Sequence, residues 1–330
     1  MTTTEPIWQP LSSVASALRR AAMLQRARAF FAERNILEVD TPILSRFTVS
    51  DPHIESIEVT LQLDPGKPWF LQTSPEYCMK RLLSAGYPDI YEICKVFRDA
   101  EAGRYHQPEF TMVEWYRLDF DLNDIMQDAL EFITTLVDAK RFEKAPMVLT
   151  YAEAFSEFAG IDSSTADIET LAAAAAADDQ LKESLGDRRD DWLDLILAEK
   201  ISRKFPTDRL TALCHYPASQ AALSRICPDD ASVADRFEVF AGDLELANGY
   251  VELVDVKEQS SRFEAEQSAR KQAGKPQRPI DSAFIAALAS GLPACAGVSV
   301  GFDRVHMLNE GADEIRQALS FAFEGRNEND

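Results

Sequence analysis

The chain has little cysteine, fewer basic than acidic residues and no long apolar run. Its five cysteines are well separated and never spaced C-x-x-C, which favours free thiols in a reducing compartment over disulfides or a zinc site. The run from Leu171 to Ala177 is far shorter than the ~18 apolar residues that a membrane span needs. The N-terminal segment MTTTEPIWQP has no signal-peptide pattern. We therefore expect a cytoplasmic protein without a membrane anchor.

The shortage of basic residues also limits the possible partners. Lys and Arg total 34 and Asp and Glu total 55, so the formal net charge of the 330 residues is −21. Such a surface repels a phosphate backbone at long range, which argues against a protein that coats DNA or RNA. A local basic pocket for a small phosphate ligand is still compatible with this charge.

Both common glycine-rich phosphate motifs are missing. No two of the 13 glycines are spaced G-x-G, and G-x-x-x-x-G-K-[ST] does not occur. A nucleotide would therefore be held by side chains, and arginine suits bidentate phosphate binding. The candidates are Arg98 at the end of a predicted strand, Arg104 in the loop after it and Arg304 at the start of a predicted helix.

Hydrophobic periodicity predicts helices on both sides of a central hairpin. Apolar residues predict an amphipathic helix over 14–34, with Leu18 and Phe30 on its apolar face. A second helix is predicted over 74–86, where Ser74 is a typical cap. The alternating segments YEICKVFR and EFTMVEWYR, joined by a polar loop of ten residues, predict the hairpin.

The second hairpin strand would place Phe110, Met112, Glu114 and Tyr116 on one face. Residues 151–205 are rich in alanine and acidic residues and predict a small helical insertion. No regular strand–helix–strand repeat is visible. Long alternating strands with helices before and after them predict an α+β fold with a mainly antiparallel sheet.

Strands return over 237–254, where the pair Asn248-Gly249 predicts an interruption. Glu245 and Glu252 flank this pair at an odd spacing, so a flat strand would place them on opposite faces. A bulge or turn at Asn248-Gly249 would return both to one face. Two carboxylates beside a nucleotide phosphate would suit Mg²⁺, and ordinary strand polarity is the alternative interpretation.

The segment GVSVG at 297–301 matches G-x-S-x-G, the nucleophile elbow of many hydrolases. Such a fold needs an acidic residue and a histidine after Ser299. The only histidine after Ser299 is His306. It lies seven residues later, in the predicted helix that comes directly after the motif. This leaves no room for the remaining strands of a hydrolase, so the motif argues only weakly for that activity.

Taken together, the ordered blocks resemble the class II aminoacyl-tRNA synthetase core. The first helix with EVDTPIL resembles motif 1, VFRDAEAGRYHQPEFTMVEWY resembles motif 2, and GVSVGFDR resembles motif 3. The segments SPEYCMKRLL and ELANGYVEL are similar to the lysyl branch. The resemblance covers roughly residues 15–325 and implies a single catalytic domain over 1–330, with 151–205 inserted in it. Motif 1 implies a homodimer.

Lysyl-tRNA synthetases carry an anticodon-binding barrel before motif 1, whereas only about 20 residues precede it here. With HYPASQAAL and GRYHQPEFTMVEWYR, the chain resembles the elongation factor P (R)-β-lysine ligase family. This resemblance implies ATP-dependent activation of (R)-β-lysine as an adenylate and its transfer to a lysine side chain of elongation factor P, with tRNA an unlikely partner. The alternatives are a truncated lysyl-tRNA synthetase-like enzyme that activates L-lysine and a non-catalytic amino-acid-binding paralogue.

The resemblance implies that two arginines carry the catalysis, Arg98 at the α-phosphate and Arg304 at the γ-phosphate, with Mg²⁺. It assigns the ATP site to Arg98, Asp99, Ala100, Glu101, His106, Gln107, Glu245, Leu246, Gly301 and Arg304. It assigns the amino-acid substrate to Ser74, Pro75, Glu76, Tyr116 and Glu252, in a pocket that also includes Asn248 and Ser299. Metal binding would fall to Glu245 and Glu252, and Glu252 could instead bind a substrate ammonium group.

The chain departs from the family pattern at three positions. Motif 2 usually has a glutamate two residues after the arginine, but Ala100 stands there and Glu101 follows it as a possible substitute. Gln107 replaces a usual asparagine at the adenine contact. Ser299 stands where lysyl-tRNA synthetases have glycine and the ligases usually have alanine, which leaves the substrate isomer open.

Overall fold

The structure is a computed structural model and describes residues 8–323. The strands are β1 (Leu37–Glu38), β2 (Leu44–Ser45), β3 (Glu58–Thr60), β4 (Pro68–Leu71), β5 (Ile90–Phe97), β6 (Glu109–Leu118), β7 (Met147–Thr150), β8 (Thr211–Pro217), β9 (Val233–Ala241), β10 (Leu244–Val251) and β11 (Cys295–Gly301). The helices are α1 (Val14–Glu33), α2 (Glu76–Ser84), α3 (Leu122–Leu136), α4 (Tyr151–Ala154), α5 (Ile168–Ala174), α6 (Asp179–Leu185), α7 (Arg189–Ile196), α8 (Val256–Gln272), α9 (Ser282–Gly291), α10 (Phe302–Glu310) and α11 (Ile315–Ala318). None of the described helices has the length and apolarity needed to cross a membrane.

Eight strands form one mixed sheet in the order β1-β5-β6-β11-β10-β9-β8-β7, and β2, β4 and β3 form a small second sheet. The inner pairs of the large sheet are antiparallel, as predicted. The outer pairs β1–β5 and β7–β8 are parallel, which the alternation pattern does not reveal. Helices α1, α3 and α10 cover one face of the sheet and enclose the largest core. Helices α2, α8 and α9 lie at the other face, where the large cavities open.

The motif 2 hairpin forms as predicted, because β5 and β6 pair in register from Ile90 opposite Tyr116 to Phe97 opposite Glu109. Residues Val113 and Trp115 enter the core on one face of β6, with Trp115 fully buried. The alternate residues of β6 therefore face the opposite side, toward α2 and α8.

Helix α1 confirms the predicted span but not the predicted apolar face. Its buried side chains include Met23, Ala27, Phe30 and Phe31. Leu18 is 67% exposed, so its assignment to the buried face was wrong. The reason is that the buried face of α1 runs through Ser16, Met23 and Ala27, and at 3.6 residues per turn Leu18 lies on the opposite side of the helix.

Residues 151–205 are helical, as predicted, and connect β7 to β8. Because β7 and β8 are parallel, the connection must cross from one end of the sheet to the other. Helices α4, α5 and α7 do this around a separate apolar core that includes Trp192 and Tyr151. That core also includes Phe240 of β9, so the helical segment is attached directly to the large sheet.

The interruption predicted at Asn248-Gly249 is wrong, because both residues lie within β10. The chain turns instead at Gly242, whose φ is +61°, and β10 then runs unbroken through Asn248 and Gly249. A Cβ atom on Gly249 would lie 2.6 Å from the Phe237 ring and 2.8 Å from the Gly297 carbonyl oxygen. Glycine is therefore required here by close strand packing, not by a turn.

Glu245 and Glu252 share a face because of a bulge at Leu246, two residues before the predicted pair Asn248-Gly249. The register of β10 against β9 shifts between Glu245 and Ala247. Leu246 and Ala247 consequently both belong to the core, although they are neighbours in sequence. This shift returns Asn248 and the alternate residues after it to the face that carries Glu245.

Candidate active site

A polar row crosses five strands on the open face of the sheet. Register places Glu92 opposite Glu114, Glu114 opposite Ser299, Ser299 opposite Asn248, and Asn248 opposite Glu238. Side chains that are directly paired on adjacent strands point to the same face. The row therefore forms the floor of a cavity whose lining includes Glu114, Ser299 and Asn248.

The next row is aromatic and has a glycine at its centre. Gly297 of β11 pairs with Tyr116 on one side and Tyr250 on the other. A Cβ atom on Gly297 would lie 2.4 Å from Tyr116 Cε1 and 2.6 Å from Glu252 Oε1. The missing side chain therefore lets the Tyr116 ring and the Glu252 carboxylate approach the backbone of β11.

Ser74 links the start of α2 to the polar row. Its hydroxyl accepts a hydrogen bond from the Glu76 backbone N–H at 3.0 Å and donates to Glu114 Oε2 at 3.1 Å. Helix α2 begins at Glu76, with Pro75 at its N-terminal boundary. The predicted residues Ser74 and Glu76 are thereby brought beside Glu114, and Tyr116 O–H donates to the other oxygen of Glu114 at 2.7 Å.

Lys80 was missed in the sequence analysis and lies at the centre of the carboxylates. Its ammonium group is 2.5 Å from Glu76 Oε1 and also pairs with Glu252, and the side chains of Lys80 and Glu252 are 1% and 0% exposed. Tyr250 O–H donates to the same Glu76 oxygen at 2.7 Å. Burial disfavours the charge of Lys80, but Glu252 and Glu76 outweigh it and hold the Lys80 pKa above its ordinary value.

Glu114 is the second residue of this pocket that the site assignment missed. Burial raises its pKa to about 8, and the nearby Glu76 adds to the shift, whereas the hydrogen bonds from Tyr116 and Ser74 oppose it. A carboxylate in this environment lacks a full countercharge. The period-two pattern that placed Glu114 on the face of Tyr116 was the signal that could have identified it.

Arg98 follows β5 and borders the same cavity. Its Nε is buried and has no hydrogen-bond partner within the described part of the chain. The guanidinium carbon lies 5.2 Å from the centre of the Phe110 ring, and NH1 is 3.8 Å from Glu101 Oε1. An arginine with an unused buried donor at a cavity wall fits an anionic group such as a phosphate.

A second, larger cleft adjoins this cavity and contains Arg304, Glu245 and His106. Arg304 NH1 donates to the Glu245 backbone oxygen at 2.8 Å and is 3.2 Å from the Glu245 carboxylate. Its NH2 is 2.7 Å from His106 Nε2. Burial lowers the pKa of His106 and the charge of Arg304 lowers it further, so the imidazole is neutral and Nε2 accepts this bond.

Buried Asp303 lies next to Arg304 in the first turn of α10. One Asp303 oxygen accepts a hydrogen bond from the Thr111 backbone N–H at 2.8 Å, and the other lies 2.8 Å from Arg20 NH1. These contacts anchor the first turn of α10 to β6 and α1. Gly301 immediately precedes this turn, and a Cβ atom there would make only ordinary contacts with the Arg304 side chain, at 3.5 Å or more.

The remaining motif 2 residues lie in the loop between β5 and β6. Asp99 accepts a hydrogen bond from the Ala100 N–H at 2.9 Å, and Ala100 has a φ of +61°. Gln107 is buried, and its side chain donates to the His106 carbonyl at 3.1 Å and accepts from the Phe323 N–H at 2.7 Å. The side chain of Leu246 lies in the core, so the predicted nucleotide contact from Leu246 can involve only its backbone.

The two carboxylates expected to bind Mg²⁺ border different cavities. Glu252 lies in the buried pocket with Lys80, and Glu245 lies in the larger cleft with Arg304. The side chain of Glu245 is 41% exposed and can be reached from solvent, whereas that of Glu252 is fully buried. Of the two, Glu245 has the surroundings that a hydrated cation needs.

The structure does not support a hydrolase. The Ser299 hydroxyl donates to the Asn248 backbone oxygen at 3.3 Å, while His306 is fully buried and its Nε2 lies 3.2 Å from the Ser16 hydroxyl. His306 is therefore committed to the contact between α1 and α10. A nucleophile needs its base within hydrogen-bond reach, and this pair does not provide it.

A further group of possible metal ligands lies away from both cavities. Ligand atoms of His215, Cys227 and Asp235 are within 4.8 Å of one another. Asp235, however, already accepts a hydrogen bond from Arg225 Nε at 2.7 Å. A guanidinium group at this distance neutralises the carboxylate and repels a cation, so we assign no metal to this group.

Comparison with known proteins agrees with the resemblance seen in the sequence motifs. The profile of the family described as tRNA synthetases class II (D, K and N) matches residues 12–324. The protein named elongation factor P–(R)-β-lysine ligase of Sodalis glossinidius (strain morsitans) is 41% identical over 322 residues, which cover 96% of this chain and 98% of that protein. The proteins of the same name from Proteus mirabilis (strain HI4320) and Pasteurella multocida (strain Pm70) are 42% and 39% identical, over 95% and 96% of this chain and 97% and 98% of theirs.

Proposed function

Since the chain belongs to the elongation factor P–(R)-β-lysine ligases within the class II tRNA synthetase family, we propose that it activates (R)-β-lysine with ATP and transfers it to a lysine side chain of elongation factor P. It is an ATP-dependent ligase that forms a carbon–nitrogen bond. Elongation factor P acts in translation, so we also propose that the enzyme works in the cytoplasm. The net charge of −21 supports a protein acceptor over tRNA.

One observation carries the choice of substrate, namely the three buried carboxylates that converge on one pocket. Glu76, Glu114 and Glu252 face a single buried cation, Lys80. A buried carboxylate needs a paired cation, and a diamino acid brings two ammonium groups. We propose that Ser74, Glu76, Tyr116 and Glu252, as predicted, together with Glu114, bind these groups, above a floor formed by Asn248 and Ser299.

In the first half-reaction, a substrate carboxylate oxygen attacks the α-phosphorus of ATP and pyrophosphate leaves. Arg98, whose Nε has no hydrogen-bond partner among residues 8–323, would hold the carboxylate and the α-phosphate together and stabilise the charge that develops. Arg304, held between Glu245 and His106, would bind the γ-phosphate. Catalysis of this step is mainly positioning and electrostatic stabilisation.

Mg²⁺ would neutralise charge on the ATP phosphates when bound. We propose Glu245 as its ligand, because this carboxylate borders the larger cleft beside Arg304 and is accessible to solvent. Glu252 is then left to the substrate pocket. The loop from Asp99 to Gln107 and the backbone at Leu246 would enclose the nucleotide.

ATP–pyrophosphate exchange with purified protein tests this function directly. We expect exchange that depends on the amino acid and is faster with (R)-β-lysine than with L-α-lysine. Preference for L-α-lysine would instead support a synthetase-like enzyme with a different acceptor. No exchange with either isomer would contradict the proposal and indicate a binding paralogue.

The raised pKa of Glu114 makes substrate binding depend on pH. Below its pKa of about 8, Glu114 is protonated in the free enzyme and must lose this proton to bind an ammonium group. The KM for (R)-β-lysine should therefore fall by up to about tenfold per unit as the pH rises from 6 to 8. Exchange rates measured across this range give the slope, and Glu114→Gln should reduce it to the part contributed by Glu252, whose pKa burial also raises to about 8. An equally steep slope in the variant would show that another group titrates.

We propose a homodimer that forms through the exposed face of α1. Val14 and Leu18 lie one helical turn apart on α1 and are 78% and 67% exposed, and Leu11, just before the helix, is 44% exposed. Such a stripe of apolar side chains on the surface is typical of an interaction site. Sedimentation of the purified protein should show a dimer, and Leu18→Glu should shift it to monomer; a monomeric unaltered protein would contradict the proposal.

A further inference from the structure

The second half-reaction needs a base, and this inference rests on the proposed function. The attacking group is the ε-amine of a lysine, whose ordinary pKa of about 10.4 leaves it protonated at neutral pH. An ammonium group has no lone pair and cannot attack the adenylate. No residue assigned above removes this proton, since Arg98 and Arg304 are cations and His106 is engaged with Arg304.

Glu266 of α8 lies where the acceptor amine would have to arrive. Within the described residues 8–323, only Asp51, Ala222 and Glu266 border both the substrate pocket and the larger cleft. The substrate would fill the pocket and the nucleotide part of the cleft, so an incoming lysine can reach the adenylate only along the free part of this junction. Asp51 and Glu266 are the two titratable groups there.

The contacts of Glu266 leave one carboxylate oxygen free. Ser50 donates a hydrogen bond to Oε2 of Glu266, and no salt bridge to this carboxylate occurs in the part of the chain that the structure describes. Arg262, one turn earlier on α8, pairs with Glu258 and donates to the backbone oxygens of Ala222 and Ser224. These contacts occupy the guanidinium group of Arg262, and it forms no salt bridge with Glu266 among residues 8–323.

The surroundings of Glu266 favour proton uptake near neutral pH. Burial raises its pKa to about 7, and the negative charges of Asp51 and Glu76 act in the same direction. The hydrogen bond from Ser50 and the charge of Arg262 act against the shift. Tyr77, also near Glu266, is held neutral because its own pKa is raised by burial and by the carboxylates around it. A base with a pKa near the working pH transfers protons most effectively.

We propose that Glu266 is the general base of the transfer step. Its carboxylate takes one proton from the lysine ammonium group of elongation factor P. The neutral nitrogen then attacks the adenylate carbonyl carbon, so that a C–N bond forms and the bond from this carbon to the phosphate oxygen breaks. AMP leaves with the electron pair of that bond, and the second nitrogen proton passes to water.

Measuring the two half-reactions separately tests this role. Glu266→Gln keeps the size of the side chain and its hydrogen-bonding capacity but cannot take the proton. We expect amino-acid-dependent ATP–pyrophosphate exchange at the unaltered rate and KM, because adenylation involves no lysine acceptor. Single-turnover transfer to elongation factor P should slow by at least about 100-fold. Glu264→Gln, an exposed neighbour on α8 that borders neither cavity, should change neither step.

Two further measurements separate a base from a structural role. The unaltered enzyme should lose transfer rate as the pH falls through about 7, and Glu266→Gln should lose this limb of the profile, whereas Glu266→Asp should keep it at a lower rate. Hydroxylamine is already unprotonated at neutral pH and needs no base. It should therefore consume the adenylate equally fast with both proteins.

The possible outcomes distinguish this inference from the proposed function. Absence of exchange in the unaltered protein would overturn both. Normal exchange and normal transfer in Glu266→Gln would overturn only the role of Glu266. Slow transfer with normal exchange in Asp51→Asn, but not in Glu266→Gln, would assign the base to Asp51. A raised KM for (R)-β-lysine in the exchange reaction of Glu266→Gln would also overturn it, because the carboxylate would then bind substrate.

Discussion

Replacing Arg98 with alanine should lower ATP–pyrophosphate exchange by about 1,000-fold or more. An arginine that stabilises charge in phosphoryl or nucleotidyl transfer typically contributes a factor of this size. The buried Nε of Arg98 has no hydrogen-bond partner in the part of the chain that the structure describes, so this donor is available for the reacting groups. Lysine at this position keeps the charge but loses the planar fork, so Arg98→Lys should be intermediate.

The same change should leave the fold intact. The ion pair of Arg98 with Glu101 is 3.8 Å long and partly exposed, and such pairs add little stability. The thermal unfolding temperature of Arg98→Ala should therefore match that of the unaltered protein. Arg28→Ala, which removes an exposed arginine that pairs with Glu38 at 3.2 Å and borders neither cavity, is the control and should keep full exchange. Retention of exchange in Arg98→Ala would contradict the assignment of the catalytic site.

Replacing Lys80 with methionine should lower both stability and substrate affinity. Lys80 is the single cation between Glu76 and Glu252, and it is almost fully buried. Removal of one partner from a buried ion pair leaves an uncompensated charge and costs about 3–5 kcal/mol in the free energy of unfolding. The carboxylates would take up protons to avoid this cost, and protonated carboxyl groups bind an ammonium group poorly.

Denaturant unfolding and the exchange KM for (R)-β-lysine measure the two effects of Lys80→Met. Lys95→Met is the matched control, because Lys95 pairs with Glu109 at the surface at 3.4 Å and should change the free energy of unfolding by less than about 1 kcal/mol. Adding Glu252→Gln to Lys80→Met should restore part of the stability but none of the affinity. If Lys80→Met unfolds like the unaltered protein with an unchanged KM, Lys80 does not organise the pocket.

Local patterns correctly predicted most elements of secondary structure. The helix over 14–34, the hairpin around the motif 2 loop and the step from β11 into α10 all follow from residue periodicity within one segment. Periodicity failed for Leu18 and for Asn248-Gly249. In both cases another part of the chain decides the outcome: α10 packs on the side of α1 that carries Ser16, opposite to Leu18, and Phe237 presses against Gly249.

The sequence by itself determined the family, the antiparallel centre of the sheet and the two arginines proposed for catalysis, because these depend on residue types at short, ordered spacings. Only the tertiary structure revealed Lys80 between two carboxylates, Glu114 beside Ser74, and Glu266 at the junction of both cavities. These groups lie far apart along the chain and meet through sheet register and helix packing. Their burial then sets their charges and pKa values, and neither burial nor distance can be read from residue order.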